Sequence, residues 1–171
     1  MADFDKAFEV MLRNEGGYRH TNIKGDRGGE TYAGISRNFW PNWEGWPLLD
    51  GGAYTESLVP LVKKFYRENF WEPVKGESIK SQEIATAIFD FAVNAGIWVS
   101  IRLAQKALGV QVDGRIGPQT MGALNKTDPE KFLCKFTVEK IRRYADICNK
   151  NKPQRKFLLG WINRSLAGLS L

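Results

Sequence analysis

Apolar side chains recur along the first segment of the chain at the spacing of an amphipathic helix, with positions i, i+3, i+4, i+7 and i+8 occupied. These positions are Phe4, Ala7, Phe8, Met11 and Leu12. Continuing the same stripe leads to Glu15 in the string NEGGYRH, so a carboxylate stands where the helix would bury its face. Gly16-Gly17 predicts the end of the helix, because glycine accepts the left-handed backbone of a helix C-terminus.

The next segment predicts loops and one small β element. Residues 18–30 are rich in glycine and are expected to form a loop, and TYAGIS (residues 31–36) has the β-branched and aromatic content of a short strand. This strand is expected to be one side of a small hairpin. An aromatic loop follows, in which Trp40, Trp43 and Trp46 lie among prolines and glycines.

The rest of the chain predicts helices with recognisable start and stop residues. The expected starts are Thr55 or Ser57, Ser81, Pro118 and a capping box at residues 127–130, and the expected stops are Pro73, Gly96 and Gly109. A final helix is expected over about residues 154–167. The fold class is therefore mainly α (α+β), a helical two-lobed domain with a small β-hairpin near the N-terminus. The lobes are expected to meet near residues 76–81.

Composition and net charge indicate the size of the core and the classes of partner that the protein can bind. The chain has 171 residues, 43% of them hydrophobic, which is enough for one full-sized core. A net charge of +6 and a pI near 9.4 favour acidic partners: nucleic acid, an anionic membrane surface or a bacterial wall polymer. No nucleic-acid recognition motif accompanies the charge, so nucleic acid is not an expected partner. The N-terminus does not resemble a signal peptide, and no apolar stretch predicts an integral membrane segment.

The cysteines and the histidine predict neither a disulfide nor a metal site. Cys134 and Cys148 fall in one predicted helix, where a rise of about 1.5 Å per residue separates them by about 20 Å, so two free thiols are expected. His20 is the only histidine and lacks a cysteine or second histidine at metal-ligand spacing.

Glu15 is the strongest candidate for chemistry. Apolar neighbours and the negative end of the helix dipole both disfavour a charged carboxylate, so we expect Glu15 to keep its proton near neutral pH, as a general acid must. The alternative is an ordinary helix-end glutamate that pairs with Arg19 or faces solvent. A second carboxylate is expected from Asp26 in the glycine-rich loop, with Glu30 as the other acidic candidate. An aspartate beside glycine is also common turn chemistry.

Several strings together resemble a known family. EGGY at the end of the first helix, followed by DRGGETYAGIS (residues 26–36), resembles the N-terminal signature of glycoside hydrolase family 108, the lysozyme-like N-acetylmuramidases. Further strings, FDFAVNAG (89–96), LAQKALGVQVDGRIGPQT (103–120) and GWINR (160–164), are similar to the helical peptidoglycan-binding region of that family. The resemblance implies a lysozyme-like catalytic region over residues 1–80 and a peptidoglycan-binding region over residues 81–171 that shares its core.

The resemblance also implies an activity: hydrolysis of the β-1,4 bond between N-acetylmuramic acid and N-acetylglucosamine, with Glu15 as the essential acid. Asp26 and Thr31 match the loop aspartate and strand threonine of phage-type lysozymes, although the loop spacing differs from theirs. This leaves the role of Asp26 open between activating water and stabilising the transition state, and Thr31 would position a water or the sugar.

For the remaining candidates two interpretations stay open. Asp90 and Asn94 either line the cleft and bind the acetamido and hydroxyl groups of a sugar, or order the end of their helix. Tyr18 either binds substrate through its hydroxyl or anchors its ring in the core. One loop tryptophan, Trp46, is expected to contact glycan. Asp113-Gly114 is expected to be a plain turn.

The implied partners are peptidoglycan glycan strands, with no cofactor and no metal. A monomer is expected, made in the cytoplasm without a signal peptide and acting on the cell wall after release. The role is either that of a phage endolysin released by a holin or that of a secretion helper, since family members also carry a secretion-activator label. The alternative function is a non-catalytic peptidoglycan-binding protein that uses the C-terminal helices.

Overall fold

The computed structural model describes residues 1–22, 29–52 and 56–169. These residues form eight α-helices and one three-stranded antiparallel sheet near the N-terminus. The helices are α1 (Phe4–Asn14), α2 (Trp46–Asp50), α3 (Val59–Tyr66), α4 (Gln82–Ala95), α5 (Ile97–Leu108), α6 (Pro118–Leu124), α7 (Pro129–Lys150) and α8 (Leu158–Ala167). The strands are β1 (His20–Asn22), β2 (Glu30–Tyr32) and β3 (Ile35–Ser36). The predicted mainly α class with a small N-terminal β element is confirmed.

Helix α1 begins and ends as its sequence predicts. The Asp3 side chain accepts hydrogen bonds from the first backbone N–H groups of the helix. At the other end, the N–H of Gly17 donates to the carbonyl of Leu12 at 2.8 Å, and the N–H of Gly16 donates to that of Arg13 at 3.2 Å. This pair of bonds is a Schellman motif, and both glycines have positive φ, as the motif favours. Glu15 is therefore the C-cap residue, held between α1 and the chain that leads into the sheet.

The β element differs from the single strand predicted over residues 31–36. A two-residue turn at Ala33 and Gly34 divides that segment into β2 and β3, which pair with Tyr32 opposite Ile35. Both turn residues have positive φ, 48° and 82°, the backbone of a type I′ hairpin turn. Strand β1 pairs with the other edge of β2, so the predicted hairpin is one half of a three-stranded sheet.

Most predicted starts and stops of the later helices are confirmed. The Ser81 hydroxyl accepts the N–H of Ile84, Gly109 ends α5 in the left-handed conformation, and Pro118 begins α6. The capping box is wrong in its first residue: Asp128, not Thr127, is the N-cap of α7, because its carboxylate accepts the N–H of Lys131 at 2.8 Å.

Two other helix boundaries differ from the prediction. Helix α3 begins at Val59 without a side-chain cap, Thr55 lies outside the described residues, and a π-helical turn continues α3 to Trp71. The last α-helix begins only at Leu158, because residues 152–157 form a 3₁₀ turn.

One hydrophobic core joins the N-terminal and C-terminal halves. It includes Phe8 and Met11 of α1, Phe89 of α4 and Phe136 of α7, all almost completely buried. Helix α4 packs on both α1 and α5 and so connects the two halves. Both cysteines are free thiols, as predicted. None of the described helices combines the length and the apolar character that crossing a membrane requires.

Candidate active site

The Glu15 side chain lies against the turn between β2 and β3. A Cβ atom added to Gly34 would lie 3.5 Å from Cβ of Glu15 and 2.5 Å from the hydroxyl oxygen of Tyr66. Only glycine therefore fits here, on steric grounds as well as because of its positive φ. The Glu15 side chain is 23% exposed, so it is partly enclosed but still reaches solvent.

Tyr66 holds the β2–β3 turn in place through a hydrogen bond. Its buried hydroxyl donates a hydrogen bond to the carbonyl of Ala33 at 2.8 Å. Burial raises the pKa of Tyr66 well above its ordinary value, and the nearby negative charge of Glu15 raises it further. The hydroxyl therefore stays protonated through the neutral range and keeps donating to the turn that contacts Glu15.

The closest charged partner of Glu15 comes from the other end of the chain. Nη2 of Arg164, on α8, donates to Oε1 of Glu15 at 2.9 Å and to Oδ1 of Asp90, on α4, at 3.3 Å. Asn14 also donates to Oδ1 of Asp90, at 3.0 Å. The expectation of an apolar environment for Glu15 is therefore wrong, because α8 brings a guanidinium to the carboxylate. Arg19, the expected alternative partner, is not the residue that pairs with it.

Burial disfavours the charged form of Arg164, but Asp90 and Glu15 outweigh this effect and raise the pKa of Arg164 above its ordinary value. Arg164 thus stays charged and links the two carboxylates. Since Glu15 lies at the end of α1, Asp90 on α4 and Arg164 on α8, the contact joins residues from both halves of the chain.

Lys140 of α7 adds a buried cation close to this group. Its side chain is 8% exposed, and its Nζ lies 5.5 Å from the ring centroid of Phe91 and 4.9 Å from that of Phe136. Burial lowers the pKa of Lys140 to about 8, although the charge of Asp90 opposes this. We refer to Glu15, Asn14, Asp90, Lys140 and Arg164 as the Arg164 cluster. All except Glu15 line a cavity of about 450 Å³ beside it.

The other predicted catalytic candidates are Asp26, Glu30 and Thr31. Asp26 lies outside the described residues. Glu30, on β2, binds Nε2 of His20 at 2.7 Å and Nε of Arg37 at 2.8 Å, so both of its carboxylate oxygens have local cationic or polar partners. Thr31 lies on the same strand, and its hydroxyl makes a long 3.4 Å contact to the carbonyl of Gly29.

Of the four predicted substrate-binding residues, Asp90 belongs to the Arg164 cluster, and Tyr18, Asn94 and Trp46 lie outside it. Tyr18 is half-buried against the core, and burial raises its pKa, while the charge of Lys63 opposes the shift. Asn94 is exposed on the last turn of α4. Asp90 bonds to Asn14 and Arg164, so its observed partners lie on other helices and not one turn along its own.

The structure does not support glycan stacking by Trp46. The side chain is 3% exposed, and its indole N–H donates to the carbonyl of Trp40 at 2.7 Å. The Trp43 ring lies 5.0 Å away edge-on, and the guanidinium of Arg37 lies 4.4 Å from the Trp46 ring centroid. Trp46 begins α2 with its ring packed in the core, whereas Trp40 is 38% exposed.

Sequence reasoning missed Arg164, Tyr66 and Lys140. Arg164 ends the GWINR string, but nothing in the string indicates a contact with Glu15, 149 residues away in the chain. For Lys140 a signal did exist. It occupies a position on the buried face of α7, where every fourth residue is buried and Thr137 is buried beside them. The residues at this four-residue spacing are Phe132, Phe136, Lys140, Tyr144 and Cys148.

Comparisons with known proteins agree with the resemblance seen in the sequence. The family described as Glycosyl hydrolase 108 matches residues 8–96, and the family described as Predicted Peptidoglycan domain matches residues 99–166. Among solved structures, SagA from Brucella abortus is similar at 25% sequence identity and a TM-score of 0.67. The similarity covers 98% of this chain and 96% of that one.

No curated protein matches the sequence significantly. The predicted mainly α, lysozyme-like fold is confirmed by the helices, the small sheet and the solved structure that is similar over almost the whole chain. The chain belongs to the glycosyl hydrolase 108 family, and it is a peptidoglycan hydrolase whose C-terminal half matches a peptidoglycan domain.

Proposed function

We propose that the protein is an N-acetylmuramidase that hydrolyses the β-1,4 bond between N-acetylmuramic acid and N-acetylglucosamine, with Glu15 as the general acid. The main support is the placement of Glu15 between the β2–β3 turn and α8. Its Oε1 accepts the hydrogen bond from Arg164, while Oε2 has no hydrogen-bond partner among the described residues. The bonded oxygen orients the carboxyl group, and the other oxygen can donate a proton to the leaving oxygen of a glycan.

The ion pair with Arg164 favours a charged Glu15 in the free protein, whereas a general acid needs a proton. Arg164 has a second carboxylate partner, Asp90, at 3.3 Å. A movement of the guanidinium towards Asp90 would therefore let Glu15 take up a proton without leaving Arg164 unpaired. We propose that glycan binding, which expels water from the site, favours this arrangement, because a charged carboxylate loses solvation there.

Family resemblance supplies the proposal for the second carboxylate. Asp26 would activate the attacking water, and Thr31 on β2 would help to position it. Glycosidases that retain configuration separate the two carboxyl groups by about 5 Å, and inverting enzymes separate them by about 6.5 to 9.5 Å. Glu30 is a weaker candidate than Asp26, since both of its oxygens already have partners.

We also propose that Tyr18 and Asn94 bind polar groups of the glycan. Tyr18 follows the Schellman motif and keeps part of its side chain accessible, and Asn94 is exposed at the end of α4. Residues 1–80 would form the catalytic region, and residues 81–171 would hold the enzyme on the wall. Action as a monomer, with release by a holin or a role in secretion, fits one activity, the local opening of the wall.

The bond that is cleaved can be identified from the products. Purified peptidoglycan should be digested in ¹⁸O-labelled water and the released muropeptides analysed by mass spectrometry. We expect each new reducing end to be N-acetylmuramic acid carrying one ¹⁸O atom. A new reducing end on N-acetylglucosamine, or an anhydro sugar without ¹⁸O, would contradict the proposal. Binding to the wall without release of any reducing end would favour the non-catalytic alternative.

A further inference from the structure

A groove of about 760 Å³ lies between α5 and α7, in the half of the chain that matches the peptidoglycan domain. Its volume is in the range of ordinary ligand sites. None of the described residues that line it belongs to the Arg164 cluster, so it is separate from the proposed active site. Cationic side chains outnumber acidic ones along it: Arg102, Lys106, Arg142, Arg143 and Lys150 face only Glu139 and Asp146.

An exposed tryptophan is held in place at this groove. Trp98 is 59% exposed, although large aromatic side chains usually bury most of their surface. The guanidinium of Arg102 lies 4.4 Å from its ring centroid, and Arg102 in turn donates to the carbonyl of Val112 at 3.1 Å. A Cβ added to Gly114 would lie 2.6 Å from the indole ring, so the backbone of the 113–114 turn supports the ring directly. Trp98 is therefore a preorganised flat surface.

Buried hydrogen bonds hold the turn that supports Trp98. Gln105 is completely buried, and its side-chain amide donates to the Asp113 carboxylate at 2.7 Å and to the carbonyl of Arg115 at 2.9 Å. The N–H of Gly114 donates to Oε1 of Gln105 at 2.8 Å. The turn is thus locked into the core, which a plain surface turn does not require. This gives the LAQKALGVQVDGRIG string a structural purpose: Gln105 fixes the turn, and the turn fixes Trp98.

One arginine in the groove lining has a donor atom without an acceptor: Nε of Arg143 is buried and has no hydrogen-bond partner among the described residues. A buried donor without an acceptor costs free energy, and a carboxylate entering the groove would satisfy it. Arg142, by comparison, already donates to Glu139 at 2.7 Å. Arg143 and the exposed Lys150 are therefore two cations of the α7 side of the groove that can receive an anionic group.

We propose that this groove is a second wall-binding site for an amino-sugar polymer that carries carboxylate-bearing peptides. A sugar ring lies on Trp98, and peptide carboxylates bind Arg143 and Lys150. That this polymer is peptidoglycan rests on the proposed function. A site of this kind keeps the enzyme attached to the wall while the catalytic site acts on a different part of the same polymer.

The test is co-sedimentation of the full-length chain with insoluble purified peptidoglycan, on ice and in a Glu15→Gln background that prevents digestion. Trp98→Ala, and separately the double change Arg143→Gln with Lys150→Gln, should each weaken retention by about tenfold. Phe39→Ala is the aromatic control, because Phe39 is 69% exposed and lies in the N-terminal half of the chain, outside the groove lining. Lys80→Gln with Lys131→Gln is the charge-matched control, since both lysines are exposed. Retention equal to that of the controls would overturn the proposal, and thermal unfolding would confirm that each variant is folded.

Chitin, an insoluble amino-sugar polymer without peptides or carboxylates, separates the two contacts. On chitin, Trp98→Ala should keep its defect, and the Arg143/Lys150 variant should lose it. A charge defect that persists on this uncharged polymer would overturn the carboxylate assignment. Weakened retention on duplex DNA at physiological salt, with unchanged retention on the wall, would assign the groove to nucleic acid instead.

Failure of the groove and failure of the proposed function can be told apart. Normal muropeptide products from the Trp98→Ala enzyme, together with unchanged retention, would contradict the groove alone. Absence of hydrolysis by the unmodified protein, with retention still dependent on Trp98, would contradict the muramidase proposal alone.

Discussion

Lys140 carries its charge in a nearly closed environment between the rings of Phe91 and Phe136, and Lys140→Met is therefore expected to stabilise the protein at neutral pH. Burial lowers the pKa of Lys140 from 10.5 to about 8. At roughly 1.4 kcal/mol per pH unit, this difference corresponds to a cost of about 3 kcal/mol for keeping the charged lysine in the folded state. Methionine keeps an unbranched stem of similar length and carries no charge.

The difference in unfolding free energy between Lys140→Met and the unmodified protein is expected to depend on pH. Below about pH 8 the lysine is charged in the folded and unfolded states, so the full cost is present. Between about pH 8 and 10.5 the folded state has lost the proton that the unfolded state still binds, so the unfolding free energy of the unmodified protein rises with pH. The stability advantage of Lys140→Met should therefore be largest near pH 7 and should shrink as the pH rises above 8.

Urea unfolding of both proteins at pH 7, 8, 9 and 9.5 measures this difference. Tyrosines with raised pKa values, such as Tyr66 and Tyr144, are present in both proteins, so their titration cancels in the comparison. A Lys140→Met variant that is less stable than the unmodified protein at every pH would refute the reasoning. A difference that does not change with pH would refute it equally, because the effect would then come from packing and not from charge.

Three further predictions concern Glu15 and the structure around it. Arg164→Gln should lower kcat/KM on peptidoglycan by roughly 10²-fold, because Glu15 loses its orientation. An unchanged kcat/KM would argue against orientation of Glu15 by Arg164. Gly34→Ala should lower the unfolding free energy, measured by chemical denaturation, by about 1 to 2 kcal/mol because of the positive φ alone. The clash between the added Cβ and the Tyr66 hydroxyl should lower it further. An unchanged unfolding free energy would contradict the close packing at Gly34. Gln105→Leu should lower the unfolding free energy by about 2 kcal/mol or more, because the turn at residues 113–114 loses its buried hydrogen bonds. It should also weaken retention on the wall as Trp98→Ala does. Unchanged retention would show that this turn is not needed for binding.

Predictions made from local sequence signals agree best with the structure. Gly16-Gly17, Ser81 and Gly109 act through backbone bonds within a few residues of themselves, so their sequence context contains most of the information needed. The capping residue of α7 was misassigned by one position because Thr127 and Asp128 are both good N-caps. The turn at Ala33 and Gly34 was missed because alanine seldom adopts positive φ.

The environment of Glu15 depended on long-range packing. The helical stripe predicts that Glu15 lies on a buried face, which agrees with its partial enclosure, but the stripe carries no information about which helix covers it. Arg164 is supplied by α8 through the packing of α8 on α7, and Asp90 by the packing of α4 on α1. In the aromatic loop, the sequence around each tryptophan is too similar to predict which rings are buried and which are exposed. Only packing against Arg37 and Trp43 assigns Trp46 to the core.

The most direct test of the central claim compares Glu15→Gln with Glu9→Gln in the release of reducing ends from purified peptidoglycan. Glu9 lies on the exposed face of the same helix and serves as the matched control. The expected result is a loss of activity of about 10²-fold or more in Glu15→Gln alone, with both variants folded by circular dichroism and thermal unfolding. Activity in Glu15→Gln equal to that of Glu9→Gln would contradict the assignment of Glu15 as the catalytic acid.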